Sequence, residues 1–142
     1  MNLNKFTIKS QEVVQIAQEL TQEFSHQQIE NVHLFKALME ADDNVLPFVF
    51  KKLQVNFSLL KKMTDSSLKS LPKISGGNLT LSPEASKTLI NAINISKEYK
   101  DEFVATHHLL TALFESDGSV SQMLKDQGIT KKNLKETLNQ LQ

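Results

Sequence analysis

Apolar residues recur along this chain at the three- and four-residue spacing of a helix that buries one face. Val13, Ile16, Ala17, Leu20 and Phe24 form one such stripe, and Leu89, Ala92, Ile93, Ser96 and Tyr99 form another. Leu34, Ala37, Leu38 and Ala41 give a third, and Leu109, Ala112 and Leu113 a fourth. Alternation of period two is nearly absent. Only Asn78-Leu79-Thr80-Leu81 reads as a short strand, beside the turn signal Ser75-Gly76-Gly77. The pattern predicts an all-α fold with helices over 8–24, 32–41, 45–53, 57–68, 83–99, 107–116, 120–127 and 131–141.

The pattern also repeats. A shift of 75 residues lays 29–45 on 104–120 with seven of 17 positions identical: His33/His108, Leu34/Leu109, Ala37/Ala112, Leu38/Leu113, Glu40/Glu115, Asp42/Asp117 and Val45/Val120. Upstream the same shift pairs Ala17 with Ala92, Leu20 with Ile95, Glu23 with Glu98 and Phe24 with Tyr99. Downstream it becomes 74, because Leu46-Pro47-Phe48 carries one extra residue, and Val55 then meets Ile129. Oxygen side chains suited to capping a helix start pair as Thr7/Ser82, Asn31/Thr106, Asn44/Ser119 and Asn56/Thr130. Pro83 sits at a favoured first helical position, and Gly128 where a helix would end left-handed. Its counterpart Gln54 breaks that rule. Two four-helix units follow, about 1–70 and 82–142, joined by a linker at 71–81. A unit of roughly 65 residues is marginal alone, so both should pack into a single domain, 1–142, with pseudo-twofold symmetry.

Composition narrows the function. The 142 residues hold no Cys, which removes disulfides, thiolate zinc sites and thiol nucleophiles. Sixteen basic and 16 acidic residues leave no net charge, so there is no electrostatic footprint for nucleic acid or an anionic membrane. None of the four glycines lies in a GxxxxGK[ST] or GxGxxG frame, so neither phosphate-cradling loop is present. The first residues carry no apolar stretch of secretory type. The expectation is a soluble, cytoplasmic, monomeric and non-enzymatic domain.

Two segments, Ile29-Glu30-Asn31-Val32-His33-Leu34-Phe35-Lys36-Ala37-Leu38 and Phe103-Val104-Ala105-Thr106-His107-His108-Leu109-Leu110-Thr111-Ala112-Leu113, resemble the doubled Clp repeat. That repeat forms the N-terminal domain of Clp/heat-shock AAA+ unfoldases. The opening Phe6-Thr7-Ile8-Lys9-Ser10-Gln11-Glu12 and the linker Leu71-Pro72-Lys73-Ile74-Ser75-Gly76-Gly77 are similar to the disaggregase branch, ClpB. The resemblance runs over essentially the whole chain. It implies a domain that binds exposed hydrophobic segments of unfolded or aggregated polypeptides and delivers them to an ATP-driven ring. It further implies AAA+ domains in the same chain, hexameric in the full-length protein, that hold the ATP and Mg, with cooperation of an Hsp70 system. No cofactor or metal is expected in the domain itself. A second reading is an adaptor-docking N-terminal domain of a ClpA- or ClpC-type unfoldase of a protease complex. A third, an independent small hydrolase, predicts turnover of generic esters.

The resemblance also points to residues. Thr7 and Asp101 match polar positions of substrate engagement, and His107 stands where the family usually has Glu. Val32 and His107 stand where ClpC relatives use carboxylates to grip phosphorylated arginine, and neither can do so. Ile95 and Leu110 match groove-lining regions, and Ile95 lies off the main stripe of its helix, which predicts partial exposure. His33 and His108 occupy equivalent positions near helix starts and read as structural hydrogen-bonding residues rather than metal ligands. Asp101→Ala is expected to leave the thermal midpoint within a few degrees.

Overall fold

In the computed structural model, which describes residues 2–141, the chain forms eight helices. They are α1 (Ile8–Glu23), α2 (Asn31–Ala41), α3 (Val45–Lys52), α4 (Phe57–Ser70), α5 (Pro83–Glu98), α6 (Thr106–Glu115), α7 (Ser119–Asp126) and α8 (Lys131–Asn139). The all-α prediction holds. The stretch read as a strand supplies β2 (Thr80–Leu81), which pairs in parallel with β1 (Gln28–Ile29). Among the described residues, no helix is long and apolar enough to cross a membrane.

Four of the predicted caps act as their chemistry suggests. The side-chain oxygens of Thr7, Ser82, Asn56 and Thr130 accept the N–H of Ser10, Ala85, Leu59 and Asn133. The other four differ. Asn31, Thr106 and Ser119 are already the first residues of their helices, each of which begins one residue earlier than predicted. At α2 and α6 the N–H just before the helix is taken by the histidine three residues on. Glu30 donates to His33 Nδ1 and Ala105 to His108 Nδ1, both at 2.8 Å. Asn44 precedes α3 but makes no capping bond, because the Asp42 carboxylate takes the N–H groups of Asn44, Val45 and Leu46.

The backbone repeats where the sequence does. Ser25 and Lys100 are both left-handed, at φ 56° and 59°. After each, the next N–H closes a bond of 2.9 Å five residues back, His26 to the Thr21 carbonyl and Asp101 to the Ser96 carbonyl. Gln54 adopts the same left-handed turn as Gly128, φ 57° against 88°, so its failure to match the glycine rule does not alter the turn. The bond from Val55 N–H to the Phe50 carbonyl, equivalent to Ile129 with Leu124, holds it there. That conformation costs a residue with a Cβ about 1 kcal/mol.

The halves are laced together by exchange. The lead-in to α1 lies against the α5–α6 loop, with Phe6 bridged to Val104 and Thr7 N–H on the Val104 carbonyl at 2.9 Å. The lead-in to α5 lies against the α1–α2 loop, with Ser82 N–H on the Ile29 carbonyl at 3.0 Å. Innermost are α2, which packs on α1, α4, α5, α6 and α7, and α6, which packs on α1, α2, α3, α5 and α7. These are the helices in which the identities at a shift of 75 concentrate. On α5 the buried stripe is Ala85, Thr88, Leu89, Ala92, Ile95 and Ser96. Ile95, three residues after Ala92, therefore belongs to the stripe and is only 4% exposed, which corrects the expectation of partial exposure. Leu110, on the innermost helix α6, is fully buried and offers no surface to a partner in this conformation.

Candidate functional site

The exchange of lead-in segments brings together the start of α1, the α5–α6 loop and the start of α6. Thr7 is committed twice over. Its hydroxyl oxygen accepts the Ser10 N–H at 3.1 Å and its hydroxyl proton goes to Ser10 Oγ at 3.0 Å, while its own N–H holds Val104. It fixes the corner rather than presenting a free group. Its neighbour Ile8 is 86% exposed, and Phe103, next to Val104, is 44% exposed. Neither was singled out from the sequence, although Ile8 carried a signal. At about 100° per residue it lies roughly 180° around α1 from buried Ala17. Phe103 sits in a loop and has no periodicity to mark it.

Asp101 is tied to the buried His108. Because His108 Nδ1 accepts the Ala105 N–H, its proton is on Nε2, which donates to Asp101 Oδ2 at 2.8 Å. Both ring nitrogens of His108 are therefore engaged in hydrogen bonds. Removing the carboxylate would strand a buried donor at a cost of about 1–3 kcal/mol, so Asp101→Ala perturbs stability more than the sequence suggested. His107 Nε2 lies 3.9 Å from the same oxygen, is buried and has no hydrogen-bond partner among the described residues. Asp101, His107 and His108 thus have the spacing of a metal triad, with ligand atoms within 4.8 Å of one another. The tautomer rules against it. A ligating imidazole donates through its second nitrogen, whereas the second nitrogen of His108 already accepts, so binding through Nε2 would demand an imidazolate.

In the first half His26 replaces Asp101, and His33 Nε2–H donates to His26 Nδ1 at 2.8 Å. Burial, reinforced by the neighbouring histidine, holds His33 and His107 down to about 4. Burial also lowers His108, against the pull of Asp101. Unfolded histidines titrate near 6.5, so the unfolded chain takes up protons that the folded one refuses between about pH 6.5 and 4. The thermal midpoint should be unaffected by these groups above that window and fall as the pH drops through it, with His33 and His107 each removing up to roughly 3 kcal/mol of stability. His107→Gln should flatten the fall in a series of melts from pH 7 to 4, and a midpoint that rises on acidification would contradict the assignment.

Ile95 has one further feature. It borders a cavity of about 270 Å³ between α5, α6 and α8, lined also by Tyr99, Phe114 and Leu134, with Glu98 and Lys135 at hand. In the first half the positions matching Thr111 and Lys131 of this cavity are Lys36 and Phe57. Lys36 pairs with Asp65 at 2.8 Å, while the Phe57 ring packs 5.5 Å from Phe50 with the Lys61 ammonium 4.7 Å above it. Of the five predicted contact residues, the structure thus gathers Thr7, Asp101 and His107 at one corner, puts Ile95 on a cavity wall and buries Leu110.

Residues 5–127 match the Clp repeat (R) N-terminal domain family. The chain is 44% identical over 141 residues to the chaperone protein ClpB of Bacteroides thetaiotaomicron, covering 99% of this chain and 16% of that protein. It is 36% identical over 141 residues to ClpB of Porphyromonas gingivalis, with the same coverage. The chain therefore spans about a sixth of these relatives. The crystal structure of the Hsp104 N-terminal domain from Candida albicans superposes with a TM-score of 0.83 at 23% identity, covering 94% of this chain and 89% of that one. The chain belongs to the family of Clp repeat N-terminal domains, and the relatives it matches are the N-terminal regions of ClpB chaperones.

Proposed function

We propose that the domain is the non-catalytic, substrate-recognition part of a ClpB-type disaggregase, which binds exposed hydrophobic segments of unfolded or aggregated polypeptides and delivers them to an AAA+ ring. The ring is hexameric and cytoplasmic, carries the ATP and Mg, and works with an Hsp70 system. The observation that carries the reading is the pair of exposed side chains, Ile8 and Phe103, flanking the Thr7–Val104 bond beside Asp101 and His107. Apolar surface without a fixed hydrogen-bond register tolerates many client sequences. The part-exposed Asp101 carboxylate adds an acceptor for a client N–H, and the neutral His107 ring adds one that carries no charge. The Ile95 cavity supports a second apolar contact on the same half. Binding at a single domain should be weak, tens of micromolar, or about −6 kcal/mol, and a ring of copies compensates by avidity.

The test is an NMR titration of the chain with an unfolded, apolar polypeptide. Amide shifts should concentrate at Thr7, Ile8, Asp101, Phe103 and His107. An Ile8→Ser/Phe103→Ser double variant, changed only at exposed positions, should melt within a few degrees of the parent and bind about tenfold more weakly. Absence of localised shifts at millimolar polypeptide would remove the reading.

A further inference from the structure

The segment after α4 docks on its own half of the molecule. Without helix or strand until β2, it passes the α1–α2 loop, and the Ile74 N–H donates to the Ser25 carbonyl at 2.9 Å. The half-exposed Ile74 side chain borders, with Leu71, Pro72 and His26, a cavity of about 170 Å³. Lys73 is near enough to help lower His26, whose proton affinity falls first through burial and then through that ammonium. The docked segment is therefore a basic residue followed by an aliphatic one, held by a single backbone bond to a left-handed residue.

The α5–α6 loop is the twin of the loop that receives it. Lys100 shares the left-handed backbone of Ser25, and the same closing bond follows at Asp101 as at His26. Two differences matter. Among the described residues, no backbone N–H reaches the Lys100 carbonyl. Asp101, Glu102 and Phe103 also stand where the first loop has His26, Gln27 and Gln28, so two carboxylates and an exposed ring replace neutral polar groups, while Glu30, the one carboxylate lining the first site, gives way to Ala105.

We propose that the α5–α6 loop takes an external polypeptide in the geometry that residues 71–74 adopt on the α1–α2 loop. An extended client segment donates a backbone N–H to the Lys100 carbonyl. Its aliphatic side chain lies against Phe103, and the basic residue before it faces Asp101 and Glu102. This rests on the polypeptide-binding reading above and adds the class of segment preferred, a basic residue followed by an aliphatic one.

The probe is the chain's own linker as a free peptide, Ser-Leu-Pro-Lys-Ile-Ser-Gly-Gly, titrated into the isotope-labelled 142-residue chain. Amide shifts should appear at 100–104. Methylating the isoleucine nitrogen of the peptide should weaken binding about fivefold, the worth of one hydrogen bond. Replacing the peptide's lysine by glutamate should weaken it severalfold more, through repulsion from two carboxylates. Equal binding by the N-methylated peptide, or shifts confined to 25–30, overturns the proposal. If the unfolded polypeptide still perturbs Ile8 and Phe103 in that case, only the docking geometry falls. If neither ligand perturbs them, the polypeptide-binding reading falls with it.

Discussion

Ala37→Asp should unfold the chain. Ala37 is 0% exposed on α2, the helix that packs on α1, α4, α5, α6 and α7. An aspartate there would either stay charged without a partner or bind a proton, and both choices tax the folded state in a close-packed centre that also has no room for the added atoms. A penalty of roughly 5 kcal/mol or more is comparable with the whole stability of a domain this size. Helical circular dichroism at neutral pH should therefore be lost at room temperature. The matching change in the second half should be milder. Ala112 is equally buried but borders a surface cavity, so the carboxylate can turn outward, where Glu84, Glu115 and Asp117 repel it and Lys87 only partly offsets them. Ala112→Asp should lower the midpoint steeply yet leave a folded protein at low temperature. A folded Ala37→Asp variant would show that α2 is not central.

From the sequence alone, unfolding is expected for an aspartate at Ala37 or Ala112 alike, because the two innermost helices are the most constrained segments, each having to suit several neighbours at once; the cavity beside Ala112 separates the two. The repeat between 29–45 and 104–120 was legible for that reason. Helix starts were less so. Asn31 and His33 are both able to satisfy an orphan N–H at the same helix start, and only the geometry chooses the histidine. Ile95 was misjudged because a four-residue step from Leu89 to Ile93 and a three-residue step from Ala92 to Ile95 both suit a helix, and α6 and α8 decide which side is covered. β1 could not be read at all, since Gln28 and Ile29 become a strand only when β2 arrives from 50 residues away. At the candidate site, Thr7, Asp101 and His107 were legible as residues, but the Asp101–His108 bond was not. It depends on the left-handed turn at Lys100, which a lysine does not advertise. A trace was nonetheless present, because a shift of 75 places His26 over Asp101 just as it places His33 over His108.

Asp42 and Asp117 are identical in sequence at that same shift, and their replacement should have unequal consequences. Asp42 is buried and its carboxylate accepts three N–H groups at the start of α3: Oδ1 takes Asn44 at 2.9 Å and Val45 at 3.0 Å, and Oδ2 takes Leu46 at 3.1 Å. The charge also faces the positive end of the helix. Asp42→Ala should cost about 2–3 kcal/mol, above an ordinary cap because several donors are stranded together. Asp117 is exposed and makes no comparable bonds among the described residues. The reason lies in the lead-in to each helix: only Gly118, at φ 115°, separates Asp117 from α7, whereas Asp43 and Asn44, the latter at φ −123°, separate Asp42 from α3, so the two chains leave their aspartates in different directions. In the second half Ser121 Oγ, bonded to the Phe114 carbonyl at 2.6 Å, secures the α6–α7 connection instead. Asp117→Ala should accordingly cost no more than about 0.5 kcal/mol, and Ser121→Ala about 1 kcal/mol. Denaturant titrations at pH 7 measure all three, with unchanged slopes indicating that only the native state is affected. Equal losses for the two aspartates would mean that the three-bond cap contributes little, and that the sequence repeat is a better guide to stability than the hydrogen bonds.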